Sequence, residues 1–142
     1  MDEIKGDFIA GFVEGEGCFS LNYNKVKSSK NKKIKYLRPM FSLGLNKRDK
    51  KLLEKIKQII GCGRIYQDND IFSYRIYRKS DLQNILIPFF EKYPFHGSKK
   101  VAFEIFKEII FIVSKRKHAI RNNDESELLE LKTRLKNYDD KL

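Results

Sequence analysis

The chain has 142 residues, 41% of them hydrophobic and 13% aromatic, which is enough to bury one core and too apolar for a disordered tail. Lys and Arg number 30 against 19 Asp and Glu, and the net charge of +11 points to a polyanionic partner, either nucleic acid or an anionic membrane. A secreted or membrane protein is not expected: no signal-peptide pattern opens the chain, and the most apolar run, Val101 to Val113, is too short to span a bilayer and carries Glu104, Lys107 and Glu108.

The first 16 residues hold one base, Lys5, and five acids, Asp2, Glu3, Asp7, Glu14 and Glu16. Residues 7–14 are expected to form a short apolar helix, with Asp7 as its N-cap and the Gly-rich Gly15-Glu16-Gly17 at its end. Period-two alternation then puts Phe19, Leu21 and Tyr23 on one face of a half-buried strand and Ser20, Asn22 and Asn24 on the other. A polar loop from Lys27 to Lys35 leads to a second alternating run. Phe41, Leu43 and Leu45 line one of its faces, and Arg38, Met40, Ser42, Gly44 and Asn46 the other. Pro39 puts the start of that strand where no ladder donor is needed. Between Gly17 and Arg48 stand nine bases and no acid, so the charge excess is localised rather than spread.

Leu52, Leu53, Ile56, Ile59 and Ile60 repeat at helical spacing, with Gly61 as the C-cap. Two short strands are expected at Arg64–Gln67 and Phe72–Arg78, joined at Asp68-Asn69-Asp70. A helix capped by Ser80 or Asp81 runs to about Lys92, bent or shortened by Pro88. A longer helix is expected from Ser98 to Arg121, and a last amphipathic one from Asp124 to Asn137, displaying Leu128, Leu129, Leu131 and Leu135. Cys18 and Cys62 read as reduced thiols of an intracellular protein; two cysteines with His96 and His118 do not suggest a structural zinc site.

This order predicts an α+β fold: an α-β-β-α-β-β-α core over residues 1–121, with a four-stranded antiparallel sheet and helices on one of its faces. Residues 122–142 are expected to add a peripheral helix to the same domain. The other sheet face is polar, basic and poor in acids. Such a face suits a DNA major groove, which admits β-ribbons. A strand of about ten residues spans roughly 33 Å, or about ten base pairs.

Residues 8–17, Phe-Ile-Ala-Gly-Phe-Val-Glu-Gly-Glu-Gly, do not suit an ordinary surface helix. Ala10, Gly11 and Gly15 put small residues where leucine would normally pack, and Gly11 and Gly15 share a face. Glycine in a helix costs about 1 kcal/mol against alanine, and close approach by a second helix would offset that. Two acids stand at or beyond the helix C-terminus, where the dipole disfavours them. A carboxylate with exposed carbonyls beside a basic groove is what a hard divalent cation needs. One acid is a meagre site; two copies meeting about a two-fold axis would make a two-metal site able to act on a phosphodiester.

Ile9-Ala10-Gly11-Phe12-Val13-Glu14-Gly15-Glu16-Gly17 resembles the nine-residue signature of the LAGLIDADG homing endonucleases. The similarity continues through Phe41 to Gly63, with Asp49-Lys50-Lys51-Leu52-Leu53 and Ile60-Gly61-Cys62-Gly63, then Tyr74-Arg75-Ile76 and the stretch Leu86 to Phe106, covering about residues 5–115. The resemblance implies a site-specific, Mg²⁺-dependent double-strand DNA endonuclease on a saddle-shaped sheet, with Mn²⁺ or Ca²⁺ able to replace Mg²⁺ for binding. It makes Glu16 a metal ligand, with the Gly15 carbonyl as an additional one, and gives Glu14 a structural role at the helix end. A polar residue at the end of the second strand orients the water network; Lys47 is that residue, or Asn46 if the register slips. A basic residue before the long helix stabilises the transition state; Lys99 fits first and Lys100 second.

As in the family's single-motif members, one motif implies a homodimer through Ile9, Ala10, Gly11, Phe12, Glu14 and Gly15, whose two-fold axis makes the target nearly palindromic; the resemblance further implies a staggered cut with 3′ overhangs. Direct readers would be Ser20, Asn22, Asn24, Val26, Arg38, Met40, Ser42, Gly44, Arg64, Tyr66, Arg75 and Tyr77, with Asn46 beside them. Arg38 and Arg75 are candidates for bidentate guanine contacts. Lys25, Lys27, Lys30, Lys32, Lys33, Lys35 and Arg48 would meet phosphate or lie in the loop. The alternative is a non-cleaving nucleic-acid-binding protein of the same fold, an intron RNA maturase or a DNA-binding regulator. The expected location is an organelle, mitochondrion or chloroplast, or a prokaryotic or archaeal cytoplasm.

Overall fold

Period-two alternation builds the sheet. In a computed structural model of the chain, residues 5–27, 33–115 and 122–140 are described, and the side chains of 23–27, 33–36, 122–125 and 138–140 lie outside that description. Strands β1 (Gly17–Lys27), β2 (Lys33–Asn46), β3 (Arg64–Asp68) and β4 (Ile71–Ile76) pair antiparallel in the order β1-β2-β4-β3. β1 faces β2 from Gly17↔Leu43 out to Lys27↔Lys33, whereas β4 meets β2 only between Phe41↔Ile76 and Asn46↔Ile71. The first hairpin thus runs past the other strands as a two-stranded ribbon. Pro39 lies on this extension, where β2 has one neighbour and a residue without an N–H is tolerated.

The helices are α1 (Gly6–Glu16), α2 (Lys50–Ile60), α3 (Lys79–Asp81), α4 (Ile87–Lys92), α5 (Lys99–Ser114) and α6 (Asn122–Asp140). A 3-10 turn (Lys47–Asp49) leads into α2, and a π-helical turn (Leu82–Leu86) joins α3 to α4. The π turn lies just before Pro88, whose ring would clash with the carbonyl four residues back in a regular α-helix; the wider turn accommodates it, so the expected bend appears as a change of helical pitch.

One core lies between the helices and the inner sheet face. Phe19, Leu21, Leu37, Phe41, Leu43, Leu45, Tyr74 and Ile76 point into it from the strands. The Phe19 ring is its hub, with the rings of Phe41, Phe90, Phe95, Phe103 and Phe106 at centroid distances of 4.8–6.3 Å. Truncating such a residue to alanine costs about 3–5 kcal/mol. The Tyr74 hydroxyl donates to the Cys62 carbonyl at 2.5 Å and ties β4 to the connection after α2. Among the described residues neither cysteine forms a disulfide, and burial, then the Asp81 charge, pushes the Cys62 thiol up to about 11, so it stays protonated at neutral pH.

Several boundaries differ from the sequence-based ones. α1 begins at Gly6 and continues through Gly15 and Glu16, so the Gly-rich stretch is its last turn rather than a loop. Its N-cap is Lys5, and Asp7 sits in the first turn, where a negative charge suits the helix dipole. α5 stops at Ser114, short of Arg121; residues 116–121 lie outside the described part. α6, expected at the periphery, packs on α5 and β1 and buries Leu128, Leu131 and Leu135 in the same core. Among the described residues no helix is long and apolar enough to cross a membrane.

Candidate functional site

The last turn of α1 passes into β1 without a linker. Ile9 and Val13 are fully buried and Ala10 nearly so, which fixes the inner face of the helix on the core. Gly17 takes the next position because a Cβ there would lie 2.5 Å from Val13 Cγ1, and its own N–H bonds back to the Val13 carbonyl. The chain therefore turns from helix to strand within one residue, and Glu16 stands on that corner.

The connection between α4 and α5 is laid along α1 and bonded to it in step. The Tyr93 ring occupies the space a Cβ at Gly6 would need. Further on, the backbone N–H groups of His96 and Gly97 donate to one oxygen of Glu14, at 2.5 and 2.6 Å. At the far end the ammonium of Lys99, only 7% exposed, donates to the Gly17 carbonyl at 2.7 Å. A cation at the end of a helix also offsets the dipole that makes two glutamates unfavourable there. Glu14 is thus committed to the main chain of the neighbouring connection. Glu16 is exposed, and among the described residues its carboxylate has no hydrogen bond or ion pair.

The outer face of α1 is bare. A Cβ at Gly11 or Gly15 would meet nothing within 4 Å. Phe8 is 49% exposed and stacks on the half-buried Phe12 with ring centroids 6.0 Å apart. Of the residues expected at a helix–helix contact, Ile9 and Ala10 belong to the core instead, because the helix needs its own inner stripe. Phe8 was not among those expected. Its spacing from Gly11, Phe12 and Gly15 is the signal that places it on the same face.

Within one chain the donor set is thin. Among the described residues no group of three or more His, Cys, Asp and Glu side chains could hold a metal ion. Glu16 and the carbonyl of Gly15, in the turn where intrahelical acceptors lose their partners, suit a hard cation only as half of a site.

The open sheet face carries the other candidates. Asn22, Arg38, Gly44, Asn46, Arg48 and Arg64 are exposed, and Ser20, Met40, Ser42, Tyr66, Arg75 and Tyr77 half-buried. Several are held by one another. Asn22 donates to Ser20 Oγ at 3.2 Å, and Ser20 to the Met40 carbonyl at 3.3 Å. The hydroxyls of Tyr66 and Tyr77 are 2.7 Å apart. The Arg38 guanidinium stands 4.0 Å over the Tyr77 ring, and that of Arg75 4.8 Å over the Tyr66 ring. The expected readers Asn24 and Val26, with Lys25, Lys27, Lys30, Lys32, Lys33 and Lys35, lie outside the described side chains.

The two candidates at the end of β2 stand in different places. Asn46 is its last residue, and its Oδ1 accepts the Arg48 N–H at 3.2 Å, as an N-cap does. Lys47 falls in the 3-10 turn, where its amine pairs with Asp70 at 3.4 Å and its N–H with the Asp70 carbonyl at 2.8 Å. Asn46 thus ends the strand, and Lys47 faces the β3–β4 hairpin. Lys100 is exposed beside the buried Lys99.

The model of the family described as LAGLIDADG endonuclease matches residues 9–110. A curated relative from Mycosarcoma maydis, "Probable intron-encoded DNA endonuclease 1", is 26% identical over 111 residues, which are 78% of this chain and 40% of that protein. The chain thus spans less than half the length of this relative. Among solved structures, the homing endonuclease I-TnaI is similar with a TM-score of 0.79 and 27% identity, each chain 99% covered. I-SmaMI, solved on an uncleaved DNA target in the presence of calcium ions, is similar with a TM-score of 0.80 and 30% identity over 94% of this chain and 45% of that one.

Proposed function

Because the chain belongs to the LAGLIDADG endonuclease family, we propose that it is a site-specific double-strand DNA endonuclease, acting as a homodimer with Mg²⁺ on a long, nearly palindromic site. The observation that carries this reading is the contrast between the two glutamates of α1: Glu14 is bonded to main chain, and Glu16 is left open at the junction with the sheet. The bare face of α1 supports the dimer. Phe8 and Phe12 supply apolar area, and Gly11 and Gly15 let a second backbone come close. Packing two such faces about a two-fold axis brings two Glu16 carboxylates together at the middle of two basic sheets.

In that assembly Glu16 and the Gly15 carbonyl of each copy would hold the cation, with Mn²⁺ or Ca²⁺ able to replace it for binding. A bound divalent cation supplies neutralisation of phosphate charge and a more acidic water. The chain's own groups set the stage. Gly17 and the Lys99 bond fix the backbone on which Glu16 stands, so Lys99 acts through Gly17 as a positioning residue. Exposed Lys100 is placed for a phosphate contact, and Asn46 for orienting water. The sheet face reads the major groove, and the cut falls across the minor groove with 3′ overhangs. Intron-encoded relatives support an intron origin and an intracellular site of action.

With Mg²⁺ the protein is expected to cleave one long site selected from a randomised duplex pool. Glu16→Gln should bind that site within a few-fold and cut it on the order of a thousandfold more slowly. Full cutting by this variant removes Glu16 from the site. Binding without any cutting by the native chain favours the alternative, a maturase or a DNA-binding regulator, with intron RNA as the partner to test next. A Cβ at Gly11 meets nothing within 4 Å among the described residues, so Gly11→Leu should keep the fold and separate the dimer. A dimer of unchanged strength by light scattering would count against the helix contact.

A further inference from the structure

The open sheet face contains one linked cluster that its separate residues do not suggest. Arg38 from β2 stacks on Tyr77, just past the end of β4; Tyr77 shares a hydroxyl–hydroxyl hydrogen bond with Tyr66 of β3; and Arg75 of β4 stacks on the Tyr66 ring. Arg75 Nε also donates to Ser73 Oγ at 3.1 Å. We propose that the Tyr66–Tyr77 pair is a positioning device that joins Arg38 and Arg75 into a single reading unit, so that the base preferences at the two positions these arginines meet depend on each other. This rests on the DNA-binding reading above.

Three properties of the cluster support it. First, an arginine on an exposed strand has many rotamers to lose on binding, and a ring beneath the guanidinium removes most of them beforehand. Second, the stacks are not independent, because the bond at 2.7 Å fixes each ring relative to the other. A guanidinium that shifts to follow a base tilts its own ring, and through the hydroxyls the opposite ring. Third, the two groups that the tyrosine pair positions are both guanidinium groups. A guanidinium has donors and no acceptor. The two guanidinium groups thus offer donors alone to the groove, a match for the two acceptors of guanine and a mismatch for the amino group of cytosine.

The test uses the full chain and the site selected from the randomised duplex pool, with binding measured in EDTA. Arg38→Ala and Arg75→Ala first identify the two base pairs, as the positions whose preference each relaxes. Every combination of base pairs at those two positions is then measured for the native chain, Tyr66→Phe and Tyr77→Phe. Phenylalanine keeps the ring under each guanidinium and removes only the link. The native chain should deviate from the product of its single-position preferences by about threefold or more, and both variants should return to that product at whatever overall affinity they keep. Independent preferences in the native chain overturn the proposal, and so does coupling that survives both substitutions. A chain with no base preference anywhere in the pool overturns the DNA-reading function itself. Preferences elsewhere, with none assigned to Arg38 or Arg75, overturn the reading unit alone.

Discussion

The corner at the end of α1 and the open face of the sheet are both polar, and they are held in opposite ways. At the corner, side chains bond to main chain: Glu14 to two N–H groups, Lys99 to a carbonyl. On the sheet, apart from the Ser20 bond to the Met40 carbonyl, the candidate readers are held chiefly by other side chains, as in the tyrosine pair and the arginines stacked on it. A bond to main chain cannot be re-aimed without moving the fold. A bond between two surface side chains can be exchanged by two substitutions. Under the proposed function, the chemistry would therefore be built into the frame and the recognition laid on top as a replaceable layer.

Substitutions at the two places should show different signatures. The largest effect on the frame is expected from Glu14→Ala, which leaves the N–H groups of His96 and Gly97 without their charged acceptor. A loss of about 2 kcal/mol, or roughly 6 °C in Tm, should come with slower cleavage. An unchanged melting curve would break the comparison at its firmer end. Lys99→Met keeps the buried stem and strands the Gly17 carbonyl, so about 1–2 kcal/mol should go, with kcat falling more than affinity. Affinity lost with stability intact would instead make Lys99 a plain phosphate contact. The smallest effect belongs to the recognition layer. Arg48→Ala should leave Tm within error and lower the slope of log K against log salt by about one unit. A destabilised Arg48→Ala would show that the turn after β2 also carries the fold.

How far each region was legible follows from the range of its interactions. The alternation of Phe19, Leu21, Phe41, Leu43 and Leu45 gave away the sheet because strand periodicity is local, and Gly61 marked the end of α2 for the same reason. The end of α1 was misplaced because glycines read as a loop, while burial of Ile9, Ala10 and Val13 carries the helix through them. That same burial turned Ile9 and Ala10 inward and left Phe8 outside. The partners of Glu14 and Lys99 lie 82 residues away from them, beyond any spacing rule. The Tyr66–Tyr77 bond depends on how β3 and β4 twist together, which neither strand encodes alone. Lys47 and Asn46 could not be separated until the 3-10 turn showed where β2 stops.

The absence of any linker between Glu16 and β1 has a consequence of its own. Glu16 and the residues facing outward from β1 belong to one rigid piece, so under the proposed function the strand would work as a ruler with its zero mark at the Glu16 carboxylate. At about 3.3 Å per residue, Asn22 stands roughly 20 Å along it, close to six base-pair steps. New side chains on that strand would change which letters are accepted at each graduation, while the distance from letter to break stays calibrated by the backbone.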